Sequence, residues 1–360
     1  ESGLIVLQKM KIVYLSRNMK SYRSASYQQD VMDELARQAR VFFYGPGFEE
    51  YDTSDSIDQV LTKAPFEPDA IVLGHAWLND RDGTEVDPHP RLHLSKTDKP
   101  KAVILNKEYT NLDAKMDYIK QNRFDLGFTH HHDTVRYTNA SGTEFTFWPF
   151  AYDPRRFNYS KGEKTIDVAF SGVLQNQRGN SVQSDIRVRI MQCLFHTWME
   201  VPLMKKKIHA ETNIFWNSIS RKKSGRYLCA LLGKRKYLND AQYTGLMWNS
   251  KVCINTLSPM GLISPRFFES MASKVLVFCE ESELYKNIFP HDIFVTFNKD
   301  LRDFDEKLSY YLKNDSMRDK IVNRAFEYVH TNHTWKIRVN SLLCTISNPT
   351  IDLFPTQLTY

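Results

Sequence analysis

Short apolar runs divide the first 130 residues at regular intervals: 10–15 (MKIVYL), 41–44, 70–73, 102–105 and 126–129. Between the first two, residues 27–39 carry Val31, Met32, Leu35 and Ala36 at helical spacing. Strands that are apolar throughout, alternating with helical stretches, predict a parallel sheet covered on both faces. The pattern restarts at 166–170, and further strands are expected at 251–255, 275–278 and 293–297. Helices are predicted at 185–197, 237–248, 301–312, 318–329 and 333–343.

Trp148-Pro149 and Asp153-Pro154 interrupt regular structure, and 158–164 is polar, so a boundary is expected between Trp148 and Lys164. The chain therefore reads as two α/β domains, 1–150 and 165–345. At 360 residues it is long enough for two cores.

The segment 258–280, SPMGLISPRFFESMASKVLVFCE, carries the densest local signals. Ser258, Pro259 and Gly261 form a turn, Ser264 suits an N-cap, and Pro265 suits the first helical position, where its missing N–H costs nothing. Phe267, Phe268, Met271 and Ala272 share one face, while Arg266 and Glu269 lie together on the other. A helix N-terminus with an arginine beside it suits a diphosphate, and a glutamate one turn deeper suits the two hydroxyls of a ribose. The same pair also fits a surface i,i+3 ion pair.

Composition narrows the picture. Hydrophobic residues make up 42% and charged residues 25%, as in a globular protein, and no apolar run approaches the ~20 residues of a membrane span. The opening residues are too few and too promptly charged for a secretory signal, and the five cysteines lack metal-binding spacing, so a reducing, cytoplasmic setting is expected. A net charge of +6 suits an acidic partner, whether a nucleotide sugar, DNA or an anionic surface, and charge alone does not choose among them. The phosphate loops of NTPases and NAD enzymes and the nucleophile elbow of hydrolases are absent from the sequence.

The segment around Arg266, Glu269 and Met271-Ala-Ser resembles the donor-binding motif of GT-B glycosyltransferases, especially the CgeB-like group and group 1 transferases. It is also similar to phage DNA beta-glucosyltransferase. Asp167, Val168, Phe170 and Gly172 resemble the CgeB-like strand that opens the second domain, and His333-Thr-Trp with Arg338 resembles its C-terminal pattern. Leu262 stands where group 1 enzymes usually carry another glutamate. The resemblance implies a GT-B fold, with two Rossmann-like domains facing each other across a cleft and a last helix packing back toward the first. It implies acceptor binding in the first domain and, in the second, binding of a UDP- or GDP-type nucleotide sugar by Gly172, Arg178, Gly261, Ser264, Arg266 and Glu269. Arg266 and Arg178 would hold the diphosphate and Glu269 the ribose.

Glu108, after the run 102–105, matches by position the base of the phage enzyme, and also suits a loop-ordering role. His75 is a second candidate for contacting sugar or acceptor. The reading is a metal-independent transferase with no cofactor and a glycan acceptor. Two alternatives stay open: a transferase acting on modified bases in DNA, and a sugar-nucleotide-binding module without catalysis.

His130–His132 with Asp133, Asp80-Arg-Asp82 and Asp303-Phe-Asp305 have compositions seen at metal sites but lack ligand geometry. The basic clusters 205–207, 221–223 and 234–236 read as solvated faces.

Overall fold

The computed structural model describes residues 9–20, 26–78, 89–106, 108, 110–157, 162–172, 182–195, 210–212, 223–232, 238–258 and 260–349. They form two compact units. The first runs to Pro149 and resumes at Trp335, and the second is Phe150–Thr334.

In the first unit, β1 (Lys11–Leu15), β2 (Arg40–Tyr44), β3 (Ala70–Leu73), β4 (Lys101–Ile104), β5 (Leu126–Thr129) and β6 (Glu144–Phe147) build a parallel sheet in the order β2-β1-β3-β4-β5-β6. Val13 pairs with Phe42 on one side and Ile71 on the other, which makes β1 an interior strand. The core gathers Val13, Leu15, Ile71, Leu73, Val103 and Leu105 with Met116 and Ile119 from the helix Leu112–Gln121. The helix Ile57–Lys63 begins with a capping box, Ser56 and Gln59 each bonding the other's backbone. Gly142 ends the helix Thr134–Ser141 at φ +74°, a left-handed position that suits glycine.

The last helix, Trp335–Ser347, belongs to this unit and packs on Ser26–Gln38, with the Gln38 amide donating to the Lys336 carbonyl at 2.8 Å. It begins at Trp335, two residues later than its periodicity indicates, because His333 caps the preceding helix through its N–H to Val329 O. Arg338 is completely buried, donating Nε–H to Pro149 O at 2.8 Å, while the Trp148 indole donates to Arg338 O at 3.0 Å.

In the second unit, β7 (Ile166–Phe170), β8 (Ala210–Thr212), β9 (Ser250–Asn255), β10 (Leu276–Glu280) and β11 (Val295–Phe297) form a parallel sheet in the order β11-β10-β9-β7-β8. The helix predicted at 237–248 is Asp240–Asn249, delayed by an Asn239–Gln242 capping box, and the one predicted at 185–197 is Val182–Phe195. The strand expected at 293–297 is shortened to β11 by the tight turn His291–Ile293. Asn314 separates Phe304–Lys313 from Asp315–Asn332. Among the described residues no helix is long and apolar enough to cross a membrane.

Candidate active site

Three strand ends of the second unit converge on the helix Pro265–Ala272. β7 runs into Ser171 and Gly172, β9 into Thr256 and the turn at Ser258, and β10 into Glu280. Ligands of open parallel sheets bind beyond these carboxyl ends. The turn is held by Gly261 N–H to Ser258 O at 2.9 Å and Leu262 N–H to the Ser258 hydroxyl at 2.9 Å. Gly261 takes φ +76°, a left-handed backbone that favours glycine, and a Cβ there would displace only the end of the Leu284 side chain, 2.9 Å away.

Ser264 occupies the N-cap with extended backbone and Pro265 the first helical position. Unlike most caps, the Ser264 hydroxyl makes no bond back to the helix, and it has no protein partner. The Arg266 Nε is likewise buried without a partner. A Cβ on Gly172 would stand 3.1 Å from Arg266 Nη1, so the bare backbone after β7 lies against the guanidinium. Pro265 has no N–H and the Phe267 N–H already bonds Ser264 O, so what this helix N-terminus offers an anion is a free hydroxyl, an arginine and the positive end of the helix dipole.

Glu269 is only 6% exposed and accepts a hydrogen bond from the Tyr243 hydroxyl at 2.5 Å. Among the described residues no ion pair joins it to Arg266, so the surface-pair alternative does not describe this geometry. Burial raises the Glu269 carboxyl above its ordinary value, opposed by Tyr243, Arg156 and Arg266. Burial and the carboxylate also hold the Tyr243 phenol protonated as the donor. Phe157 packs edge-on against Tyr243, and Arg156 pairs with Asp240 at the start of the same helix.

A second guanidinium was not legible in the sequence. Arg187, 7% exposed, donates Nε–H to Thr256 Oγ1 at 2.6 Å and is held down to about 10 by burial first and then by Arg266. Glu280 opposes that shift, while its own carboxylate is engaged by Leu257 N–H at 2.8 Å. Two neighbouring arginines repel each other until an anion lies between their fields. Neither Arg187 nor Tyr243 carries a motif, and their partners lie 69 and 26 residues away. Arg178 lies outside the described residues.

In the first unit, His75, Glu108 and His130 follow β3, β4 and β5, and all three are buried. Glu108 accepts from the Thr129 hydroxyl at 3.1 Å and from the N–H groups of Glu108 and His130, and burial raises its carboxyl. The His75 and His130 Nε2 atoms are 2.9 Å apart, and His130 Nδ1 is 2.7 Å from Trp148 O.

Burial depresses both imidazoles, His75 well below its ordinary value and His130 down to about 3. An unfolded chain takes up these protons near pH 6.5, whereas the folded one does not until far lower. Their contribution is therefore intact above pH 6.5 and is lost as pH falls. Between pH 7 and 5.5 the expected loss is about 1 kcal/mol for each histidine. Urea midpoints across that range measure it, and a flat profile contradicts two buried neutral histidines.

His131 stacks on His132 rather than joining His130, and among the described residues no group of three His, Cys, Asp or Glu could hold a metal ion. Asp303 is engaged by Asn298 N–H and Lys307. Asp80 and Asp82 lie outside the described residues, as do 205–207, 221–222 and 234–236. Lys223 is exposed.

Solved structures share this architecture. A glycosyltransferase from Rickettsia africae ESF-5 is 11% identical with a TM-score of 0.62, the match covering 96% of this chain and 99% of that one. Anabaena HepE, solved with UDP and glucose, is 12% identical with a TM-score of 0.59, covering 94% and 99%. An alpha-glucosyltransferase solved with UDP and a 13-mer DNA is 11% identical with a TM-score of 0.60, covering 95% and 100%. At such identities the likeness speaks for the fold. Residues 202–344 match the family described as glycosyl transferase-like. The chain has the GT-B fold. The family match takes in the converging segment from Asp240 to Glu280 and ends within the last helix. No curated protein sequence matches the chain.

Proposed function

We propose that the enzyme transfers a sugar from a nucleoside diphosphate sugar, of UDP or GDP type, to a hydroxyl of a glycan acceptor without a metal or other cofactor. The observation that carries this reading is the set of unpartnered polar atoms at the N-terminus of Pro265–Ala272: the Ser264 hydroxyl and Arg266 Nε, with Gly172 against the same guanidinium. There the diphosphate accepts from the Ser264 hydroxyl and Arg266 at the positive end of the helix, and Arg187 adds a second positive charge. Glu269 accepts from the ribose. Negative charge that develops on the departing diphosphate meets donors already in place, which lowers the barrier to transfer. UDP bound to two structural neighbours favours UDP among the two donors.

Metal independence follows from the same charge balance, because two arginines and a helix N-terminus already face the anion. UDP titrated into pure protein is expected to bind equally well with and without EDTA. Loss of binding on chelation, restored by magnesium or manganese, overturns the metal-free assignment.

Acceptor class is tested by UDP release with a panel of glycans and, as a contrast, base-modified duplex DNA. The net charge of +6 and the DNA held by one neighbour favour including that contrast. Release with glycans alone supports the proposed acceptor, and release only with DNA replaces it. Hydrolysis or transfer with neither, despite tight UDP binding, leaves a nucleotide-binding module. All five cysteines are free thiols, which fits a reducing, cytoplasmic setting.

A further inference from the structure

The first unit holds a histidine pair whose hydrogen bonds determine which nitrogen bears each proton. The Trp148 carbonyl can only accept, so His130 Nδ1, 2.7 Å away, carries a hydrogen. His130 Nε2 lies 2.9 Å from His75 Nε2, and one of those two nitrogens must donate. His130 is 3% exposed and feels the positive field of Arg338, so a second proton on it is strongly disfavoured. Its Nε2 therefore keeps a lone pair, and His75 Nε2–H is the donor. That leaves His75 Nδ1 as a lone pair, buried and without a protein partner.

The ring is also fixed in orientation. Tyr27 meets His75 edge-on at 5.6 Å, Trp148 lies 5.8 Å away, and Asn106 donates to the His75 carbonyl at 3.2 Å. His130 stacks on Trp148 at 5.5 Å. Burial disfavours an imidazolium at His75, and His130 beside it adds to that. Glu108, the other candidate, already accepts from Thr129 and two backbone N–H groups.

We propose that His130 is a positioning residue: anchored on the Trp148 carbonyl, it fixes His75 as the Nε2–H tautomer and leaves His75 Nδ1 to accept a hydrogen bond from a hydroxyl of the saccharide substrate. The role of the bound hydroxyl rests on the sugar-transfer reading, whereas the tautomers do not.

The test uses the full chain labelled with 15N-histidine and long-range proton–nitrogen correlation at pH 7. His75 is expected to carry its proton on Nε2 and His130 on Nδ1. His130→Gln can still donate to Trp148 O and accept from His75, so it should retain the His75 pattern and most of the activity. His130→Phe should give His75 a mixture of tautomers and lower kcat/KM on the order of 10- to 100-fold, with UDP affinity unchanged. A purely structural role predicts equal damage from both variants.

A wild-type His75 protonated on Nδ1, or on both nitrogens, overturns the proposal, as does a folded His130→Phe protein with unaltered tautomer and kinetics. Adding accepted saccharide should shift the His75 Nδ1 resonance, and an unmoved resonance overturns the substrate contact. UDP titration on the same samples separates the two readings: expected tautomers without UDP binding sink the donor assignment alone.

Discussion

Glu269→Ala weakens nucleoside diphosphate binding about a hundredfold. The expectation rests on a carboxylate that is buried and held by a single protein donor, Tyr243 at 2.5 Å, with its remaining lone pairs available to a ribose. Losing two charge-assisted hydrogen bonds at about 1.5 kcal/mol each gives roughly 3 kcal/mol, or two decades in Kd. The alanine also strands the Tyr243 hydroxyl in the interior, so some loss of stability accompanies it. Glu269→Gln keeps an oxygen for Tyr243 and separates the two effects. Arg266→Ala is expected to behave differently, weakening UDP by one to two decades and uridine scarcely at all, because its proposed partner is the diphosphate. Calorimetric titration of UDP and uridine into the wild type and the three variants decides it. Unchanged affinities in folded proteins would remove both residues from the donor site.

Arg338→Ala lowers the stability of the first unit by about 3–5 kcal/mol. Arg338 is wholly buried on the last helix, and its Nε donates to Pro149 O while its carbonyl accepts from the Trp148 indole and the Ser341 hydroxyl. Truncation opens a cavity the size of the side chain and leaves a buried carbonyl without its donor, and such losses are among the largest single-residue effects. For a unit of this size the midpoint should fall by roughly 10 °C. Thermal unfolding followed by circular dichroism measures it, and a change under 1 kcal/mol would show that water replaces the guanidinium at little cost. Because Trp148 also supplies the carbonyl that orients His130, the variant should broaden the His75 and His130 nitrogen resonances even below its melting point.

Both sheets were legible because burial on two faces writes strands as unbroken apolar runs, and the five runs of the first unit became β1 to β5. The helix at Pro265 was equally plain, since Ser264, Pro265 and Gly261 act on their own backbone within a few residues. Helix ends moved wherever a cap reached across the boundary, as at Asn239 and His333. β6 and β8 were not marked as strands from periodicity, one running directly into the Pro-broken stretch and the other three residues long. By itself, then, the sequence determined two parallel α/β units and a helix N-terminus with Arg266 at its start, because these depend on local backbone preference and on the period of burial. Only the tertiary structure decided that Glu269 faces Tyr243 rather than solvent, that Arg187 lies close enough to Arg266 to repel it, and that His130 stands between His75 and Trp148. Those partners are 26, 55 and 18 residues apart where they bond directly, and parallel strands brought together by crossovers leave no periodic trace of which side chains will meet at their ends.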